Sequence, residues 1–121
     1  MESPYWKLED FRVIIGSSKV DYDLNKEEYN RKEHKYSLES AIDFLTHLVL
    51  PISTRPFITR DASTKTEKRH EHLTVDDNNK VVFFVTTMRE DETIRIISLR
   101  RANEKERDVF IYYTGFKEKQ P

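Results

Sequence analysis

The sequence predicts an α+β domain: two N-terminal helices, a mainly antiparallel sheet built as a meander, and a closing C-terminal helix. Three observations carry this reading. Residues 70–101 hold three runs rich in apolar and β-branched side chains, separated by short polar turns, which is the pattern of a meander. Leu38, Ala41, Ile42, Leu45 and Leu48 recur at helical spacing. Asn103 followed by Glu106 has the spacing of a capping box, so a helix starts directly after the last run. With 121 residues, 36% of them apolar and 36% charged, the chain makes one domain (1–121) with a modest core and a densely charged surface.

The elements follow in order. Residues 1–10 are mixed in character, Phe11 to Ile15 reads as a short strand ended by Gly16, and Val20 to Tyr22 as a second. Leu24 to Lys35 is polar and suits an exposed helix, with Lys26, Asn30 and His34 four apart along one side. Ser37 is placed to cap the next helix, with Glu39 in its first turn and Pro51 as its boundary. Residues 52–60 look extended, and Pro56 pushes them towards a sheet edge. Asp61 to Arg69 has no apolar residue except Ala62 and reads as a mobile loop.

Three strands are expected next. His70 to Val75 is the first, and the turn Asp76-Asp77-Asn78-Asn79 leads to Lys80–Met88, apolar enough to be covered on both faces. After a turn at Arg89–Glu92, Ile94 and Ile96 point to one face, with Arg95 on the other beside Ile97 and Leu99. The closing helix spans Glu104 to Tyr113, and Gly115 stops it.

Composition excludes several function classes. Glycine stands only at 16 and 115, so no glycine-rich phosphate loop exists. The absence of cysteine removes disulfide and thiol chemistry and fits a reducing cytoplasm, the expected location. No run is long enough to cross a bilayer, and the start has no signal-peptide pattern. No Gly-x-Ser-x-Gly elbow occurs. His70 and His72 would project from one strand face and could supply two zinc ligands. Without cysteine or a carboxylate at a recognised spacing, a surface histidine pair is the favoured account; neither metal nor cofactor is expected. The formal net charge of −1 means that any grip on a polyanion depends on local clustering of cations.

Arg95-Ile96-Ile97-Ser98-Leu99-Arg100-Arg101-Ala102, followed by a capping residue, Glu106 and the aromatic Phe110, resembles the signature of the BrnT family, ribonuclease toxins of bacterial type II toxin–antitoxin pairs with a RelE-like fold. Upstream, Asp23, Lys26, Asn30 and His34 keep the family's Asp-x-x-Lys-x-x-x-Asn-x-x-Lys-His spacing, with Glu33 where a lysine is usual. Tyr36, Leu38 and Ala41 follow where the family has its hydrophobic second helix. The resemblance covers residues 21–113, which leaves 1–20 as an N-terminal extension. Family members carry a Glu-Arg pair entering the first meander strand and a glycine ending it. Here the pair is Glu67-Lys68-Arg69 with a shift, or Glu71-His72 without one, and Asp76–Asn79 replaces the glycine. Asn and Asp tolerate left-handed backbone, so the turn survives.

The resemblance implies metal-independent endoribonuclease activity, with an RNA substrate and a small antitoxin protein as partner, and any oligomer formed only through that antitoxin. Such cleavage by 2′-hydroxyl attack needs a base, an acid and cations that stabilise the phosphorane. Histidine suits the first two tasks and arginine the third. The candidates are His34, Arg69, His72, Arg95 and Arg100, with Arg101 beside them. The alternative is a non-catalytic BrnT-like module that uses the same sheet to bind a partner protein.

Overall fold

The computed structural model describes residues 6–9, 19–46, 56–89 and 93–118. Its elements are β1 (Lys19–Tyr22), α1 (Leu24–His34), α2 (Ser40–Thr46), β2 (Phe57–Asp61), β3 (Lys68–Val75), β4 (Val81–Met88), β5 (Thr93–Arg101) and α3 (Glu104–Thr114). One five-stranded sheet runs in the order β1-β5-β4-β3-β2. Every pairing is antiparallel except that of β1, which lies parallel to β5 and sets Asp21 opposite Arg95. The expected strand at Phe11–Ile15, the helix boundary at Leu48 and Pro51, and most of the turn after Arg89 lie outside the described residues.

β4 is the central strand and is buried on both faces, as its near-continuous apolar run requires. On one face Val82 and Phe84 join Leu38, Ala41, Phe44 and Leu45 from the α2 region with Ile94, Ile96 and Leu99 of β5. On the other, Val81, Phe83 and Val85 pack with Val109 and Phe110 of α3, Ile97, Leu73 and Trp6. Trp6 is therefore part of the second core. Trp6 lies edge-on to Phe83, its carbonyl accepts the Tyr113 hydroxyl, and the Glu9 N–H donates to the Thr59 carbonyl along the outer edge of β2.

Two local readings change. Leu99 shares a face with Ile94 and Ile96, not with Arg95, because β5 carries a bulge. Val85 pairs with Ser98 and Thr86 with Ile96, so Ile97 is the extra residue. A bulge restarts the alternation of side chains. It keeps Ile94 and Ile96 in the α2 core while Arg95 stands on the α3 face with Ile97. The loop expected over Asp61–Arg69 shrinks to residues 62–67. Asp61 and Arg69 belong to strands, and the connection is tied by hydrogen bonds from the Ala62 N–H to the Arg69 carbonyl and from the Thr64 N–H to the Glu67 carbonyl.

The turns obey the local chemistry. Asp76 Oδ1 accepts from the Asn78 and Lys80 N–H groups, and Asn79 takes the left-handed conformation (φ 61°) that the absent glycine would otherwise supply. Asn103 and Glu106 form the full capping box of α3, and Gly115 ends that helix at φ 73°.

Candidate active site

The bulge aligns one polar row across the sheet: Arg69 on β3, Thr87 on β4, Arg95 on β5 and Asp21 on β1 are successive register partners. With strands about 4.8 Å apart, Arg69 and Arg95 stand about 10 Å apart at Cα with Thr87 between them. Arg95 donates from Nε and Nη2 to the two Asp21 oxygens at 3.0 and 3.4 Å. Arg69 donates from Nε to Glu67 Oε1 at 2.9 Å, with Nη2 at 2.7 Å from the same oxygen. An open groove of about 610 Å³ lies over the Thr87, Arg95 and Asp21 part of the row, lined also by Glu67, Lys68 and Arg89; Arg69 does not line it but is bonded to Glu67, which does. Lys68 and Arg89 form no ion pair among the described residues. Among the described lining residues three are cationic, two are carboxylates and none is aromatic.

The other sequence candidates lie elsewhere. His72 is on the α2 face and wholly buried, packed on Phe84 and Phe57. Both ring nitrogens are occupied, Nδ1 at 2.9 Å from Thr59 Oγ1 and Nε2 at 2.8 Å from Thr86 Oγ1. Burial, and secondarily the nearby His70, hold its pKa well below the usual histidine value. An imidazole so enclosed neither reaches a phosphate nor offers a free lone pair to a metal. The histidine pair is therefore not a surface pair. His70 is itself buried, stacked on His72, and its ligand atom gathers instead with those of Glu9 and Asp61 within 4.8 Å. Side-chain and then backbone hydrogen bonding from Ser63 lower the pKa of Asp61.

His72 makes stability depend on pH in a definite direction. Its folded pKa is depressed, so only the unfolded chain takes up the proton as pH falls below about 6.5. Stability is complete above that pH and is lost below it, at up to about 1.4 kcal/mol per pH unit. Urea melts at pH 7.5, 6.5 and 5.5 should show the loss beginning near 6.5. A flat profile down to pH 5.5 would contradict a buried neutral imidazole.

Arg100 is on the α3 face but about 15 Å along the strand from Arg95. Its guanidinium makes a two-pronged contact with Glu106, at 2.7 and 2.8 Å, and lies 4.2 Å over the Phe83 ring. It locks the end of β5 to the capping box. Arg101 is engaged by Glu118. His34 closes α1 and sits edge-on to Tyr29.

Two residues of the upstream motif, Asp23 and Asn30, hold the scaffold together. Asp23 caps α1, its side chain accepting from the Asn25 N–H while its own N–H donates to the Ile96 carbonyl. Asn30 is buried; its Oδ1 accepts from the Leu99 N–H at 3.0 Å, and its Nδ2 donates to the carbonyls of Leu99 at 2.6 Å and Tyr36 at 2.9 Å. The amide thereby completes the edge of β5 beyond the last register pair with β1. Glu27, which composition did not single out, accepts from the Leu38 N–H and Ser37 hydroxyl and so joins α1 to the start of α2. Thr87 also escaped the sequence reading; the only signal was a Thr-Thr step ending the apolar run of β4.

These features define a small α+β protein with an arginine-flanked, cation-lined groove at one end of its sheet. The chain belongs to the BrnT family, the ribonuclease toxins of type II toxin–antitoxin systems, whose profile matches residues 22–106. Comparison with curated proteins gives no match.

Proposed function

We propose that this chain is an endoribonuclease toxin whose reaction takes place in the groove over Thr87 and Arg95, with Arg69 beside it, without a metal, by attack of the RNA 2′-hydroxyl. The observation that carries the reading is the alignment of the two arginines on either side of one buried strand position. Each is held by a carboxylate that a phosphate can replace. Their guanidinium groups offer planar donor forks to the charge that builds on the phosphorane oxygens. Glu67 is the base of this scheme. One of its oxygens holds Arg69, and Oε2 has no partner among the described residues. Asp21, by contrast, has both oxygens on Arg95. The 2′-oxygen loses its proton to Glu67 and bonds to phosphorus, and the bond to the 5′-oxygen breaks. That oxygen takes a proton from the Lys68 ammonium or from water in the open groove, leaving a 2′,3′-cyclic phosphate. His34, His72 and Arg100 have no part in this scheme; the fold engages them elsewhere.

A protein antitoxin is the expected partner, and the RelE-like relationship belongs to the same reading. The test is incubation of the purified chain with mixed single-stranded RNA in the presence of a chelator, with analysis of product ends. Cyclic phosphate ends are expected; intact RNA, with and without ribosomes, would count against the reading. Because the described lining of the groove has cations and no ring on which to stack a base, binding should be governed by phosphate contacts. With Lys68, Arg69, Arg89 and Arg95 engaged, binding of 2′-O-methyl RNA should weaken with salt at a log–log slope of about −3. A slope near zero would mean that the groove does not grip the backbone.

The non-catalytic reading has one observation in its favour. Both arginines are paired within the fold, and no imidazole lines the groove among the described residues. Failure to cut under all these conditions, together with stable capture of a small protein, would select it.

A further inference from the structure

We propose that the Thr87 hydroxyl is a hydrogen-bond donor to a non-bridging phosphate oxygen, the third donor of an anion site completed by Arg69 and Arg95. The inference deepens the nuclease reading and rests on it for its ligand. The starting observation is an orphan. Among the described residues, Thr87 Oγ1 is the one buried side-chain polar atom without a hydrogen-bond partner. Buried hydroxyls are nearly always satisfied, so an exception calls for a reason. The other buried threonines follow the rule. Thr59 and Thr86 bond to the two nitrogens of His72, and Thr74 donates to the Pro56 carbonyl.

Position supplies the reason. Thr87 is 3% exposed, lines the groove, and is the register partner of Arg69 on one side and Arg95 on the other. Valine has nearly the same shape as threonine, and the strand uses it at 81, 82 and 85. Continuing the register of Val85 and Ser98 without the bulge would set Ile96, not Arg95, opposite Thr87. The bulge therefore creates the juxtaposition, and bulges are enriched where side chains must be re-aimed next to active sites. When a phosphate enters, Arg69 and Arg95 exchange Glu67 and Asp21 for phosphate oxygens, and the hydroxyl between them is uncovered to complete the set. The arginines supply charge; the threonine, fixed on a buried strand, sets where the phosphorus stops.

The experiment compares wild type, Thr87→Val and Thr87→Ser. Each is melted in increasing inorganic phosphate against sodium chloride of equal ionic strength, and each is assayed on single-stranded RNA. The sign of the stability change separates this role from a structural one. Removing an unsatisfied buried hydroxyl should leave the melting point of Thr87→Val unchanged or raise it, whereas loss of a structural hydrogen bond lowers it. Phosphate should stabilise wild type and Thr87→Ser and should largely fail to stabilise Thr87→Val. RNA cleavage by Thr87→Val should fall about tenfold or more in kcat/KM. The phosphate shift decides the inference. It is overturned if wild type shows no phosphate-specific shift, if Thr87→Val keeps the full shift, or if that variant melts lower. Normal cleavage by a Thr87→Val variant that keeps its shift removes the inference and leaves the nuclease standing. A Thr87-dependent shift in a protein that cuts no RNA removes the nuclease and leaves the anion site.

Discussion

Replacing Arg95 with alanine should lower the rate of RNA cleavage by about 10²–10³, the usual cost of one preorganised contact to a developing oxyanion. The melting curve should barely move. The guanidinium is about one-third exposed and its partner Asp21 nearly half exposed, and such ion pairs typically contribute about 0.2–1 kcal/mol. Arg95→Lys should recover only part of the rate, since an ammonium keeps the charge but not the planar fork. Arg100→Ala makes the contrast. Its side chain is fixed by Glu106 and by the Phe83 ring, so its loss should cost about 1–3 kcal/mol in stability while the rate per folded molecule stays near wild type. Assay and melt must be run on the same preparations. A normal rate for Arg95→Ala, or a large rate loss in a folded Arg100→Ala, would place the transition-state cation at the wrong end of the strand.

The two arginines are close in sequence and alike in composition, and this is why their roles were not separable before the structure was known. Alternation along β5 gives each a face, but a bulge is a tertiary compromise without a firm sequence mark. A bulged Ile97 shifts every face assignment on one side of it. The partners that define the site are also remote. Asp21 is 74 residues from Arg95 and reaches it because β1 joins the sheet in parallel, a pairing that local patterning does not encode. His72 misled for a related reason. Composition makes it a general-base candidate, yet two threonines from neighbouring strands satisfy it and the core encloses it. What was legible came from local chemistry. The capping box at Asn103, the helix stop at Gly115, the Asp-Asn turn after Val75 and the twofold burial of β4 each follow from a few adjacent residues. Glu67 and Arg69 were legible as one of two alternatives for the pair entering β3, and the two form an ion pair next to Thr87.

Asn30→Ala should be among the most destabilising single substitutions in the chain, although the residue reads from sequence as part of a polar stripe on an exposed helix. Its side chain is buried and closes the backbone of β5 where β1 no longer pairs with it. Truncation leaves the Leu99 N–H and carbonyl and the Tyr36 carbonyl without their partner, and unsatisfied buried groups cost about 1–3 kcal/mol each. Allowing for relaxation and entry of water, a loss of roughly 2–4 kcal/mol is expected, or on the order of 10 °C in melting temperature for a domain of this size. Asn30→Asp sharpens the test. A carboxylate can still accept from the Leu99 N–H, but it faces two carbonyls with no proton to donate, so it should fare no better than alanine. Amide exchange at Leu99 should accelerate in both variants, because the bond protecting that N–H is lost or weakened. A melt within about 0.5 kcal/mol of wild type would mean that α1 does not hold the strand edge. In that case the Asn of the upstream motif would need a role in RNA or partner binding, and the separation of scaffold from site drawn through Asp23 and Asn30 on one side and Arg69 and Arg95 on the other would fail with it.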